Sequence, residues 1–189
     1  MEVHRLGVKF FASDPSSVRL DAFIPIFHGW IQKQNLTGHL LIDVHDYSHA
    51  HHGPGILLVA HEGNFSIDMS DGRPGLMYYR KTPTALSPVE HLTTIFRSAL
   101  QASRFLERDA RVRFNMDELL VIANDRLNAA NNDQTLAELQ LPLSSALKQV
   151  FEGAEFYLAR TSMDSKERFT VSCRRIVSQQ RSGERSSSL

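Results

Sequence analysis

The chain has 189 residues, 42% of them hydrophobic and 22% charged, and its 21 Lys plus Arg balance its 21 Asp plus Glu to a formal net charge of zero. These are ordinary globular values that argue against a disordered or fibrous class, and a neutral chain offers no overall field for holding a polyanion, so nucleic acid is not an expected partner. No stretch approaches the roughly 20 apolar residues that span a bilayer, MEVHRLGVKF has no run of signal-peptide type, and the lone Cys173 cannot form an internal disulfide, which makes the cytoplasm the expected location.

Leu6, Val8 and Phe10 alternate with Gly7, Lys9 and Phe11, which predicts a half-buried strand ending in the turn cluster 13–17. Phe23, Phe27, Trp30 and Ile31 recur at helical spacing. Pro25 is tolerated only near a helix start, so this helix should begin between Asp21 and Ile24 and bury Trp30. Residues 40–44 (LLIDV) and 56–60 (ILLVA) are short apolar runs bounded by Gly and Pro; they read as paired strands buried on both faces at the centre of a sheet, although runs this short could also be helical. The intervening HDYSHAHHGPG is too long for a tight hairpin turn. Phe65 and Ile67 alternate with polar residues, 70–73 is turn chemistry, and 76–81 resumes a strand. Ser87, Pro88 and Glu90 combine an N-cap, a first-turn proline and a capping-box glutamate, so a helix over 87–108 should bury the stripe Leu92, Ile95, Phe96, Ala99 and Leu106.

Residues 119–123 suit either a helix or a buried strand, and we read a strand. Thr135 and Glu138 form another capping-box pattern, but Pro142 should interrupt that helix, with the main helix restarting there on Leu143, Ala146, Leu147, Val150 and Phe151 and stopping at Gly153. Phe156 and Leu158, then Phe169, Val171 and Cys173, alternate in two strands joined around 164–166, while 178–189 should be a disordered tail. The order is strand, helix, three strands, long helix, strand, helix, two strands. It predicts an α+β domain over 1–177 with a mainly antiparallel sheet, built from two strand-helix-strand-strand halves (1–84 and 110–177) joined by the long helix, with the helices packed on the sheet. Exposed sheet edges predict a homo-oligomer, specifically a homodimer.

The segments FIPIFHGWIQ, LIDVHDYSHAHHGPGILLVAHEGNFSID and ANDRLNAAN resemble an uncharacterised bacterial family with no assigned activity, over most of the chain's length. In that family's pattern the loop begins Asp-x-Ala-Asp-Tyr, whereas this chain has Asp43-Val44-His45-Asp46-Tyr47. The resemblance implies a folded cytoplasmic protein and makes the histidines a feature of this sequence alone.

Chemistry-bearing residues concentrate around the 40–60 hairpin. His45, His49, His51 and His52 are candidate ligands for a divalent metal, and Asp46 and Tyr47 are candidate ligand-binding residues beside them. His61, Glu62 and Asp43 are the candidate catalytic residues, Asp43 because a carboxylate within an apolar run is costly to bury unpartnered. Pairing Ile56 with Val44 would set His61 opposite His39 and on the order of 15 Å from His45, too far for one mononuclear site. Asn124, Asp125 and Arg126 could form a local Asp-Arg pair or line a pocket. No helical HExxH motif, nucleophile elbow or phosphate-binding glycine loop is present. The sequence therefore favours a non-catalytic binding or accessory protein whose partner, small molecule or protein, is unspecified, with a metal-assisted hydrolase using the His-rich loop or the His61/Glu62 group as the alternative.

Overall fold

Strand β1 (Leu6–Ala12) is buried at all seven residues in the computed structural model, which describes residues 5–50 and 53–177. The chain continues through α1 (Leu20–Lys33), β2 (Leu41–Tyr47), β3 (Gly55–Ala60), β4 (Gly63–Asp68), β5 (Gly75–Arg80), α2 (Pro88–Asp109), β6 (Phe114–Ala123), α3 (Asp133–Val150), β7 (Phe156–Arg160) and β8 (Thr170–Arg175). The strands form one eight-stranded antiparallel sheet in the order β2-β3-β4-β5-β1-β6-β8-β7. The α+β class, the antiparallel sheet and the helices packed on it are as the sequence predicts.

The position of β1 corrects two expectations. An interior strand has neighbours on both sides, and here side chains also cover both faces, so β1 is not half-buried. The β2–β3 hairpin lies at the sheet edge instead of its centre, and of β2 only Leu41 is buried. Apolar composition alone could not reveal this, because edge position is decided by which distant strands pair. Residues 63–80 make two strands separated by the 69–74 turn, giving four strands between α1 and α2 where the expected order had three.

Helix burial follows the apolar spacing. Trp30 on α1 is 2% exposed and its Nε1 donates to Asp109 Oδ2 at 2.9 Å, tying α1 to the end of α2. On α2, Ser87 accepts from the Glu90 amide and Glu90 reaches back to Ser87, the reciprocal cap the sequence encodes. Leu92, Ile95, Phe96, Ala99 and Leu106 are buried, and the helix packs on β1, β5 and α3. Helix α3 departs from expectation: it runs unbroken through Pro142, and its N-cap is Asn132, whose side chain accepts from the Thr135 amide at 2.8 Å. Thr135 therefore lies within the first turn and is buried. Pro142 forgoes one backbone bond, but Leu139 and Leu143 lie one turn apart on the same buried stripe, and their burial outweighs that loss. Glu152 and Gly153 end the helix with φ of 53° and 82°.

Period-2 alternation sorts the strands into two faces. Val8, Phe10, Phe65, Ile67, Leu76, Tyr78, Leu119, Val121, Val171 and Cys173 face the helices and make the core. The opposite parity carries Lys9 and Phe11 on β1, Glu118, Leu120 and Ile122 on β6, Thr170, Ser172 and Arg174 on β8, and Tyr157 and Ala159 on β7. Among the described residues no helix covers this second face, and none is long and apolar enough to cross a membrane. The tail at 178–189 lies outside the described residues.

Candidate functional site

The uncovered face is hollow over β1, β6, β8 and β7, and the register explains why. Lys9, Leu120, Ser172 and Ala159 stand in one row across these strands, with Gly7, Ile122 and Thr170 in the next and Glu118, Arg174 and Tyr157 in the row on the other side. Small side chains at Ser172, Ala159 and Thr170 sit between larger ones, leaving a cavity of about 530 Å³ with Leu120, Ile122 and Phe11 among its lining residues. That volume is within the range of small-molecule sites.

Its charged end is built from β1 outward. The Lys9 side chain is 1% exposed; its ammonium donates to Asp68 Oδ1 at 2.8 Å and also to Asp71. Asp68 Oδ1 further accepts from the amide and hydroxyl of Ser70. A buried cation thus pins the 69–74 turn against the sheet. From that turn Arg73 lies over the Phe11 ring, 3.6 Å from its centroid, and donates to both carboxylate oxygens of Glu118 at 3.2 and 2.9 Å. Arg174 Nε approaches Glu118 Oε1 at 3.5 Å. The hydrogen bonds from Arg73, outweighing the cost of partial burial, hold the Glu118 carboxyl below the usual carboxylate range. Arg168 lines the opposite end and is exposed. Four arginines, Arg73, Arg160, Arg168 and Arg174, thus share a cavity with one paired glutamate. At the floor, the Ser172 hydroxyl is buried without a hydrogen-bond partner among the described residues.

The residues singled out from sequence lie elsewhere. The β2–β3 pairing is antiparallel as expected, but the register differs by two: Val44 faces Leu58 and Ile56 faces Asp46. His45, Asp46 and Tyr47 therefore belong to an edge strand instead of the loop. Asp43 is solvent-facing, with Oδ1 accepting from the Val44 amide at 2.7 Å and Oδ2 3.6 Å from His45 Nε2. Tyr47 lies between the rings of His45 and His49, at 6.2 and 6.3 Å. Asp46 accepts from Ser48, which lowers its pKa. His51 and His52 lie outside the described residues. Among those described, no group of three His, Cys, Asp or Glu side chains is placed to hold a metal ion.

At the hairpin's other end an irregularity between Leu41 and Asp43 brings His61 opposite Leu40, whose carbonyl accepts the His61 amide; His39 is one position removed. Glu62 accepts from the Leu40 amide at 2.9 Å. Desolvation is the largest influence on Glu62 and opposes its charge, yet the Leu40 amide, its own backbone and the nearby His39 and His61 together lower its pKa. His39 is 9% exposed, with Nε2 2.8 Å from the Tyr78 hydroxyl and Nδ1 3.2 Å from the Thr37 carbonyl. The Thr37 carbonyl makes Nδ1 a donor, and burial, which lowers the pKa of the ring, favours its neutral form. Tyr78 is fully buried, so this pair sits under the sheet surface and not in a cleft.

Asp125 accepts from the Asn128 amide and side chain in a local turn, and Arg126 is exposed. Asn124 extends β6 by donating its amide to the Arg5 carbonyl. None of the three lines the cavity. Cys173 faces the core, where burial pushes its thiol pKa up, consistent with a small buried hydrophobe.

The cavity residues were present in the sequence as the off-core parity of four strands. Lys9 within an apolar strand and the Thr-x-Ser-x-Arg spacing at 170–174 were the available signals; only the strand order joins them. No family model matches the chain, and no curated protein matches it.

Proposed function

We propose that the protein is a non-catalytic binding protein whose ligand occupies the hollow on the uncovered sheet face. The carrying observation is the cavity of about 530 Å³ in which an apolar strip, Leu120 and Ile122, lies between arginines and above the unpartnered Ser172 hydroxyl. Sites for small molecules combine an apolar wall with a few convergent polar groups in this way. The lining is better suited to holding than to transforming: Lys9 is engaged by two aspartates, and the Ser172 hydroxyl has no base in hydrogen-bond reach among the described residues. The metal-assisted alternative has no ligand set among those residues to support it.

Self-association and a cytoplasmic setting remain part of the proposal. For a sheet-edge contact β7 is the better edge, because on β2 the Leu41 amide is taken by Gln34 and the Val44 amide by Asp43. Light scattering at tens of micromolar should give a mass above that of one chain, and a concentration-independent monomer would overturn this part.

The binding reading is tested with 1-anilinonaphthalene-8-sulfonate, an aromatic anion whose fluorescence rises in apolar surroundings. The wild-type protein should bind it saturably at one site. Ser172→Trp, which fills the floor, should weaken binding about tenfold or more, a change of about 1.4 kcal/mol, with circular dichroism and melting temperature unchanged. Equal affinity in the two proteins would overturn the reading.

A further inference from the structure

We infer that the hollow takes an organic anion with an elongated apolar body, and that its carboxylate enters the arginine clamp of Arg73 and Arg174 by displacing Glu118. The inference rests on the hollow being the binding site and adds the chemistry of the occupant.

Arg73 is prepared for such a ligand before one arrives. Its guanidinium is fixed by stacking on Phe11, and its turn is fixed by Lys9 through Asp68 and Asp71, so little freedom is lost when its planar fork meets a carboxylate. The fork is already used in that way, with both oxygens of Glu118 bound at 3.2 and 2.9 Å. Glu118 is thus a carboxylate from the protein itself occupying the position where a ligand carboxylate is best received. Arg174 approaches Glu118 through Nε at 3.5 Å, a longer contact than the two that Arg73 makes, and it is exposed. A second carboxylate can therefore be bound by Arg174 and then exchange with Glu118 on Arg73, while Glu118, 22% exposed at its side chain, swings toward solvent.

The body of the ligand is set by the rows beyond the clamp. From Arg174 the cavity floor runs past Ser172 to Thr170, a span of about 13 Å along an extended strand, with Leu120 and Ile122 beside it. An apolar chain lies on these side chains. A hydrogen-bonding group midway along it would satisfy the Ser172 hydroxyl, whose lack of a partner otherwise carries a desolvation penalty. A bulky or highly charged ligand fits less well, since Leu120 and Ile122 keep the middle of the hollow apolar and Asp71 also lines it.

Competition against bound 1-anilinonaphthalene-8-sulfonate by octanoate and by the isosteric, uncharged octanamide separates the contributions. The wild-type protein should prefer octanoate by about tenfold, the scale of one charge-assisted contact. Arg174→Gln should remove most of that preference while leaving octanamide unchanged. Glu118→Gln, which takes away the competing carboxylate, should tighten octanoate severalfold and leave octanamide unchanged. If Glu118 only holds Arg73 in place, the same variant weakens octanoate, and the inference is wrong. Equal displacement by the two compounds, or displacement by neither, also overturns it. In each of these cases the Ser172→Trp result still decides separately whether the hollow binds the fluorescent anion at all.

Discussion

Lys9 illustrates how one residue can define a surface. Its ammonium is buried between Asp68 and Asp71, and removing one partner of a buried pair leaves the other charges uncompensated. Lys9→Met should therefore cost about 3–5 kcal/mol of stability in urea unfolding. Pairing it with Asp68→Asn should recover part of that loss, and a single-variant loss below about 1 kcal/mol would mean that the 69–74 turn is held by other contacts. His39 makes the opposite case, a titratable group kept neutral. Its pKa is lowered in the fold by burial, so below the unfolded value near 6.5 the unfolded chain binds more protons than the folded one. The stability it contributes is fully present above about pH 6.5 and falls away as pH drops toward its depressed folded value. The melting temperature of the wild-type protein should fall more between about pH 7 and pH 5 than that of His39→Gln. Parallel curves for the two proteins would show that His39 titrates as it does in the unfolded chain.

At the scale of elements, local chemistry was legible where a residue acts on its own neighbours. The cap at Ser87 and Glu90, the α2 stripe and the alternation of β8 all follow from spacings of a few residues. The β2–β3 register was not, because β2 continues through His45, Asp46 and Tyr47 to pair with Gly55, residues whose polarity suggested loop. Gly55 can begin β3 there since its φ is +60° and a Cβ would collide with the Ile67 carbonyl. Gly55→Ala should destabilise by about 2 kcal/mol or more, read as a shift in the denaturation midpoint, and a neutral result would mean that the hairpin end adapts. Helix α3 runs through Pro142 because packing outweighs local propensity there. Restoring the missing donor with Pro142→Ala should stabilise the protein by about 1–3 kcal/mol, provided the helix is as regular as its burial pattern implies. Destabilisation would show that Pro142 contributes packing that alanine cannot replace.

Across the whole molecule, each half uses the same plan at a different length. A strand is followed by a helix, and a meander then returns to pair with that first strand: β5 returns to β1, and β8 returns to β6. The halves meet where β1 pairs with β6, so the strands that begin each half become the middle of the sheet. The likeness of the two halves could be read from element order. That meeting point could not, since it depends on pairings over a hundred residues apart, and with it went the location of the cavity. Histidine-rich sequence drew attention to an exposed edge, whereas the hollow is made by small side chains whose importance comes from their neighbours' size. The central claim is that ligands are received at this hollow and not at the histidine hairpin. The most direct measurement is a titration of isotope-labelled protein with 1-anilinonaphthalene-8-sulfonate followed by amide chemical shifts. Shifts concentrated at Leu120, Ile122, Ala159, Ser172 and Arg174, with His45, Tyr47 and His49 unmoved, are the predicted result. Shifts centred on the β2–β3 hairpin with the β6, β8 and β7 amides unchanged would contradict it.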